Sequence, residues 1–271
     1  KMIHPHTYIH PNAKLATNVK VDPFSVIHQN VEIGEGTWIG SNVTIMDGAR
    51  IGKNCRIFPG AVISAIPQDL KYEGEDSHVL IGDNTTIREF VTINRGTKDR
   101  GKTTVGHDCL IMAYSHLAHD CEIGSHCIMS NNTQIAGHVE MGDWAILGAT
   151  TLVHQFVHIG AHSFTGMGTY LPQDLPPYVT VAGNPAKPYG INSEGFKALL
   201  RSIDKGRTWV KTSAPNRLGE AAATGYVREF LRRVGPDKLI WGSDCPFVGE
   251  ETKITYQQTI DWILGCVDDG D

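Results

Sequence analysis

An apolar residue recurs at every sixth position from residue 3 to residue 177 of this 271-residue chain. The series runs from Ile3 to Ile63, resumes at Ile81, Ile87 and Ile93, and continues from Val105 to Ile159. The exceptions in this register are Asp69, Glu75, Asp99, Thr165 and Pro177. Four positions after each apolar residue comes a small or β-branched one, as in Thr7, Ala13, Val19 and Ser25. A repeat of this kind has to be explained before any motif, because it decides the fold.

A period of six belongs neither to an α-helix, which repeats every 3.6 residues, nor to an ordinary strand, which repeats every two. It suits a parallel β-helix, in which each hexad is a short strand plus a turn and three hexads close one coil of 18 residues. The aliphatic residue then points into the prism. The polar stretches at 65–80 and 97–104 interrupt the series without shifting its register, so we expect them to be loops extruded from a continuing coil.

Composition sets looser bounds on function. The chain is 41% hydrophobic, with a formal charge of −5 and a pI near 6.2, so its net charge gives no reason to expect nucleic acid. No apolar run approaches the roughly 20 residues that span a bilayer. The N-terminal "KMIHPHTYIHPN" has histidines and prolines where a signal peptide has its apolar stretch. These features predict a cytoplasmic enzyme or binding protein.

Four of the six cysteines, Cys55, Cys109, Cys121 and Cys127, occupy the small-residue position of their hexads. A thiol there is expected to act as a compact buried hydrophobe. Cys245 and Cys266 lie outside the repeat, and the sequence contains no C-x-x-C pair, so neither a zinc site nor a disulfide framework is predicted.

The stretch "SHLAHDC" (115–121) acquires a meaning from the 18-residue coil. Residues 18 apart stack, which sets His119 in register with Gly137 and Gln155, Asp120 with His138, and Ala118 with His154. One corner of the prism therefore collects histidines, an acid and a glycine. Any one of these polar residues is also what a surface turn tolerates. Together they are the set that a general base and an oxyanion site require.

Several longer segments resemble a known family: "IMAYSHLAHDCEIGSHCIMSNNTQIAGHVEMGDWAILG", "TLVHQFVHIGAHSFTGMG", "PQDLKYEGE" and "REFVTINRGT". They are similar to the UDP-N-acetylglucosamine O-acyltransferases, which catalyse the first step of lipid A biosynthesis. The likeness runs from Met2 to about Glu194. It implies a left-handed coil and a homotrimer with active sites in the clefts between subunits. It also implies transfer of a 3-hydroxyacyl chain from acyl carrier protein to the 3-hydroxyl of UDP-N-acetylglucosamine, without metal or bound cofactor.

The resemblance assigns roles residue by residue. It implies that His119 is the general base, that Asp120 orients and polarises it, and that the Gly137 N–H faces the oxyanion. The implied substrate contacts are Asp69 and Lys71 in the first loop, His116, His138, His154 and Gln155 in the cleft, and Met167 in the acyl groove. Asn94 stands where many members carry histidine, which makes its substrate contact the least certain of the set.

The resemblance ends near residues 192–198. Ala198 and Leu199 occupy the places of a family arginine pair that binds the nucleotide, and only Lys197 and Arg201 offer positive charge nearby. The rest predicts a strand in "RTWVKTSA", a helix in "AATGYVREFLRRVG", a strand in "DKLIWGSD" and a helix in "YQQTIDWILG". This unit resembles the last part of a TIM-barrel hydrolase of the amidohydrolase-related group, with Asp244 matching its catalytic aspartate.

The sequence thus predicts an all-β left-handed parallel β-helix over 1–192 and a smaller α/β segment over 193–271. The second segment is too short to close a barrel, which takes about 200 residues or more. Three functions stay open: an acyltransferase, a hydrolase that uses Asp244, and a trimeric β-helix chimera whose catalysis is impaired by the foreign segment.

Overall fold

A computed structural model describes residues 2–192. Beyond them it describes residues 197, 201, 210–212, 224–225, 227–228, 231–232, 235, 239–241, 261 and 264. The chain divides into two compact units, Lys1–Asn192 and Ser193–Asp271.

Short parallel strands, most of them two residues long, form three sheets in the first unit. Sheet A contains, in spatial order, β1 (Met2–Ile3), β4 (Lys20–Val21), β7 (Trp38–Ile39), β10 (Arg56–Ile57), β13 (Thr86–Ile87), β16 (Leu110–Ile111), β19 (Ile128–Met129), β22 (Ile146–Leu147), β25 (Phe164–Thr165), β27 (Val179–Ala182) and β28 (Lys187–Ile191). Sheet B contains β2 (Tyr8–Ile9), β5 (Val26–Ile27), β8 (Thr44–Ile45), β11 (Val62–Ala65), β14 (Thr92–Asn94), β17 (His116–Leu117), β20 (Gln134–Ile135), β23 (Leu152–Val153) and β26 (Tyr170–Leu171). Sheet C contains β3 (Lys14–Leu15), β6 (Glu32–Ile33), β9 (Ala49–Ile51), β12 (His78–Ile81), β15 (Lys102–Val105), β18 (Glu122–Ile123), β21 (Glu140–Met141) and β24 (His158–Ile159).

Successive strands along the chain belong to successive sheets, so three strands make one coil of a triangular prism. The register is the one the hexads predict: His116 pairs with Gln134, eighteen residues later. The extruded loops are found at residues 66–77, between β11 and β12, and at residues 95–101, between β14 and β15. Each loop lengthens a single coil and leaves the pairing of the aliphatic ladder intact, since Ile57 still pairs with Ile87.

The core of the prism is the stack of hexad aliphatics. Ile27, Ile45, Ile63 and Leu117 are all fully buried. Burying an aliphatic side chain of this size stabilises a fold by about 1.5–3 kcal/mol, which the repeat supplies in every hexad.

Small polar side chains complete the corners. Ser25 Oγ donates to the carbonyl of Gly40 at 2.6 Å and accepts from Val43 N at 3.2 Å, which ties adjacent coils together. A thiol does similar work: Cys109 Sγ lies 3.1 Å from the carbonyl of Gly124. All four repeat cysteines are free and buried, as their hexad position predicts.

Many corner residues have a backbone in the left-handed region, including Asn54 (φ 53°), Asp120 (φ 59°) and His138 (φ 62°). Asparagine, aspartate and histidine are enriched in that conformation. The turns therefore present polar side chains at fixed heights along each edge of the prism.

The parallel coils end at β27, which pairs antiparallel with β28. In the second unit, β29 (Val210–Thr212) pairs in parallel with β30 (Leu239–Trp241), and the residues described between them include helical positions at 224–225, 227–228 and 231–232. Residues 261 and 264 are helical too, in the region predicted to be the second helix. Asp244, Cys245 and Cys266 lie outside the described residues. Among the described residues, no helix has both the length and the apolarity to cross a membrane.

Candidate active site

His119 and Asp120 form the turn between β17 in sheet B and β18 in sheet C. His119 Nδ1 lies 2.8 Å from Asp120 Oδ2. The His119 side chain is 15% exposed, whereas that of Asp120 is fully buried. The imidazole therefore stands at the surface of the corner with an acid fixed behind it.

The Asp120 carboxylate is held by the second loop. Its Oδ1 accepts from the Thr97 N–H at 3.0 Å and from the Arg100 N–H at 3.3 Å, and its Oδ2 accepts from Thr97 Oγ1 at 2.7 Å. Burial opposes the negative charge, but the hydrogen bonds from Thr97 and His119 outweigh it, and the pKa of Asp120 lies below its usual value. An ionised Asp120 keeps the His119 proton on Nδ1 and leaves Nε2 as the basic nitrogen.

Gly137 lies one coil beyond His119, as the 18-residue register predicts. A Cβ added to Gly137 would stand 2.8 Å from His119 Cε1 and 2.9 Å from Nε2. Within residues 2–192, no backbone carbonyl accepts a hydrogen bond from the Gly137 N–H. The absence of a side chain thus lets the imidazole lie directly against this backbone.

His138 packs at the same corner. Its ring stacks on Phe156, with the centroids 4.5 Å apart, and meets His119 edge-on at 5.1 Å. Its Nε2 lies 3.8 Å from Asp120 Oδ2, and its Nδ1 lies 3.3 Å from Asp99 Oδ2 in the second loop.

His116 and Asn94 lie on neighbouring coils of sheet B. His116 Nδ1 is 2.7 Å from Thr92 Oγ1. Burial and then the nearby charge of His119 lower the pKa of His116, which favours a neutral ring. Asn94 is 3% exposed; its Nδ2 donates to the carbonyl of Ile66 at 3.2 Å, while no partner is found for its Oδ1 within residues 2–192. This oxygen is left able to accept a hydrogen bond.

The remaining predicted contacts lie around this core. Asp69, in the first loop, accepts from the Lys71 N–H at 2.9 Å, and Lys71 is exposed. His154 and Gln155 are exposed on the coil after Gly137, with His154 Nδ1 3.2 Å from the Gln155 carbonyl. Met167 is 78% exposed.

Two groups have side chains near enough to one another to hold a metal ion: His119, Asp120 and His138, and His107, Asp108 and His126. Both repeat one spacing, a histidine, the acid after it, and a histidine 18 residues beyond the acid. Stacking of coils alone brings such residues together. In the first group the acid is already occupied by donors from Thr97 and Arg100, which does not fit a metal ligand.

Sequence reasoning missed Thr97 and Thr92. Phe156 was in register with His138 and could be found from the coil period. Thr97 could not, because the second loop leaves the hexad register and nothing in "NRGTKD" indicates which group it contacts.

Comparisons with known proteins agree with this arrangement. A family model described as bacterial transferase hexapeptide (six repeats) matches residues 30–65 and 102–137. The fold and the histidine corner therefore define a hexapeptide-repeat transferase. The chain is 51% identical to the acyl-[acyl-carrier-protein]–UDP-N-acetylglucosamine O-acyltransferase of Thiobacillus denitrificans over 196 residues, which covers 72% of this chain and 76% of that protein. The corresponding Pseudomonas putida enzyme is 54% identical over 196 residues.

Solved structures give the same result. LpxA from Acinetobacter baumannii matches with a TM-score of 0.73 and 36% identity, covering 86% of this chain and 92% of that one. A UDP-N-acetylglucosamine acyltransferase from Bacteroides fragilis matches with a TM-score of 0.73 and 41% identity, covering 85% and 84%. The chain belongs to the UDP-N-acetylglucosamine O-acyltransferase family. The predicted left-handed parallel β-helix is confirmed.

A second family model, described as amidohydrolase, matches residues 182–268. This match agrees with the resemblance of the C-terminal segment to part of a TIM-barrel hydrolase.

Proposed function

We propose that this chain transfers a 3-hydroxyacyl group from acyl carrier protein to the 3-hydroxyl of UDP-N-acetylglucosamine, the first step of lipid A biosynthesis. The observation that carries the proposal is the buried Asp120 bonded to His119 at 2.8 Å, set against Gly137 in a chain of this family.

The chemistry starts at His119 Nε2. A sugar hydroxyl is a weak nucleophile, and the imidazole removes its proton as the oxygen attacks the thioester carbonyl. The new C–O bond forms, the C–S bond breaks, and the imidazolium returns its proton to the departing thiolate. Asp120 stabilises the positive charge that the ring carries between the two steps.

Gly137 answers the charge on the carbonyl oxygen. Its N–H has no backbone acceptor in the described coils and lies beside the base, where the tetrahedral oxyanion develops. A donor of this kind is worth roughly 10²–10³ in kcat.

The other predicted residues surround this reaction centre. We assign the nucleotide sugar to Asp69, Lys71, His116, Asn94 and His138, with the free Asn94 Oδ1 ready to accept from a hydroxyl or amide of the sugar. His154 and Gln155 complete the cleft, and Met167 lines the acyl groove. We further propose a homotrimer with the sites between subunits, as the family resemblance implies, acting in the cytoplasm.

The C-terminal segment modifies this proposal. A guanidinium matches phosphate oxygens in a planar fork, and the family's arginine pair is replaced by Ala198 and Leu199. We therefore expect weak binding of UDP-N-acetylglucosamine, expressed as a raised KM with the His119 chemistry retained. We take residues 193–271 to be a fragment of a hydrolase that is inactive on its own.

Acyl transfer from 3-hydroxyacyl-acyl carrier protein to UDP-N-acetylglucosamine tests the proposal directly. His119→Ala should remove nearly all transfer while gel filtration still gives the trimer, because a surface turn contributes little to the core. His28→Ala is the matched control on a distant coil, and it should leave kcat unchanged. A loss of only a few-fold in His119→Ala would reject the general base.

The alternatives have separate outcomes. Absence of transfer by the parent chain would favour the impaired chimera. A lactonase or decarboxylase activity that Asp244→Ala abolishes would favour the hydrolase.

A further inference from the structure

The second extruded loop, residues 95–101, lies closer to the catalytic corner than its lack of any repeat suggests. Thr97 is buried, at 7% exposure, and donates to Asp120 twice: from Oγ1 to Oδ2 at 2.7 Å and from its N–H to Oδ1 at 3.0 Å. The hydroxyl therefore shares the same oxygen, Oδ2, with His119 Nδ1.

The loop is itself firmly anchored. The Gly101 N–H donates to the Thr97 carbonyl at 2.7 Å, and the Gly101 carbonyl accepts from the His78 N–H at 2.9 Å. Arg100 Nη2 reaches Glu140 at 2.6 Å, and its Nη1 lies 3.4 Å from Glu122. The Lys98 N–H donates to Glu75 of the first loop at 2.9 Å. Thr97 is thus held in place from both sides before it touches Asp120.

The consequence for Asp120 is geometric. A carboxylate can rotate about its terminal bond, and Oδ2 accepts well from His119 only in a narrow range of angles. Two donors from one residue, one on each oxygen, stop this rotation. We propose that Thr97 is a positioning residue that locks the Asp120 carboxylate so that its Oδ2 faces His119 Nδ1.

This inference rests on the proposed acyl transfer and adds to it a residue that acts through Asp120, without touching substrate. Because hydrogen bonds to charged groups are the stronger ones, Thr97→Val should lower kcat by about ten-fold. The KM values for both substrates should change by less than about two-fold, since no binding contact is removed. Thr97→Ser, which restores the hydroxyl, should return kcat to at least half of the parent value.

The matched control is Thr85→Val. Thr85 is equally buried, and its Oγ1 donates to the Gly106 carbonyl at 2.8 Å and accepts from Cys109 N at 3.2 Å, in the sheet A ladder. This change removes a buried hydroxyl without touching the corner and should leave kcat unchanged.

A double-mutant cycle gives the decisive result. In an Asp120→Asn background, Thr97→Val should lower kcat by less than about two-fold more, because its target is already lost. Additive losses, a change in KM in place of kcat, or failure of serine to rescue would each overturn the inference.

A second readout does not depend on activity. Urea unfolding midpoints of Thr97→Val, Asp120→Asn and the double variant should be non-additive, whether or not the parent chain transfers acyl groups. Additive midpoints would overturn the inference. Absence of transfer by the parent together with non-additive midpoints would reject the proposed function alone.

Discussion

Gly137→Ala is the sharpest test of the geometry at the histidine corner. The added Cβ would stand 2.8 Å from His119 Cε1, where ordinary contact begins at 3.4 Å, so the ring must withdraw by about 0.6 Å. The backbone itself tolerates alanine, because Gly137 is not among the residues with a positive φ. The perturbation therefore falls on the imidazole and on the neighbouring N–H.

The expected magnitude follows from that displacement. A misplacement of about 1 Å in a catalytic group can cost about 10²-fold in rate. We expect kcat to fall by about 10- to 100-fold, with KM for both substrates changed by less than about three-fold. Overpacking of this kind destabilises by about 1–3 kcal/mol, which should lower the thermal midpoint but leave the fold intact.

Steady-state acyl transfer at saturating donor measures the effect. Gly190→Ala is the control for loss of backbone freedom, since an added Cβ there meets no heavy atom within 4 Å. It should retain the parent kcat. A Gly137→Ala variant with full kcat would refute the placement of His119 against this glycine as a catalytic requirement.

Three further expectations concern other parts of the chain. Met167→Gly should shift preference towards longer acyl donors in competition assays, because each added methylene contributes about 0.8 kcal/mol when buried; an unchanged donor profile would assign the limit to another residue. Burial raises the pKa of the Cys121 thiol to about 12, so iodoacetamide at pH 8 should leave Cys121 unlabelled in the native protein and label it in urea, as read by peptide mass spectrometry. Burial and then the charge of His119 lower the pKa of His116 in the folded state, so the unfolded chain binds this proton first. Its contribution to stability is constant above pH about 6.5 and falls below it until the folded pKa is reached. His116→Gln should therefore flatten the acid-side fall of the urea midpoint, and an unchanged slope would contradict the shift.

Much of the fold was predictable because the hexad repeat is a local pattern with a single geometric consequence. An aliphatic residue at every sixth position makes a triangular coil, and the 18-residue turn of that coil places Gly137 beside His119 and His138 beside Asp120. The cysteines were predictable for the same reason, since their hexad position is the corner slot. Where the repeat continues, distance along the chain converts directly into distance in space.

The tertiary structure alone decided what the extruded loops do. Residues 95–101 leave the register, so nothing local relates Thr97 to Asp120, 23 residues away. Their contact depends on how the loop folds back over the corner, held by Arg100 against Glu122 and Glu140. The ionised state of Asp120 is likewise a tertiary property, because buried donors stabilise a charge that burial alone would remove. The sequence by itself determined which coil carries the base and which glycine lies against it, and the folded loop determined how the acid behind that base is held.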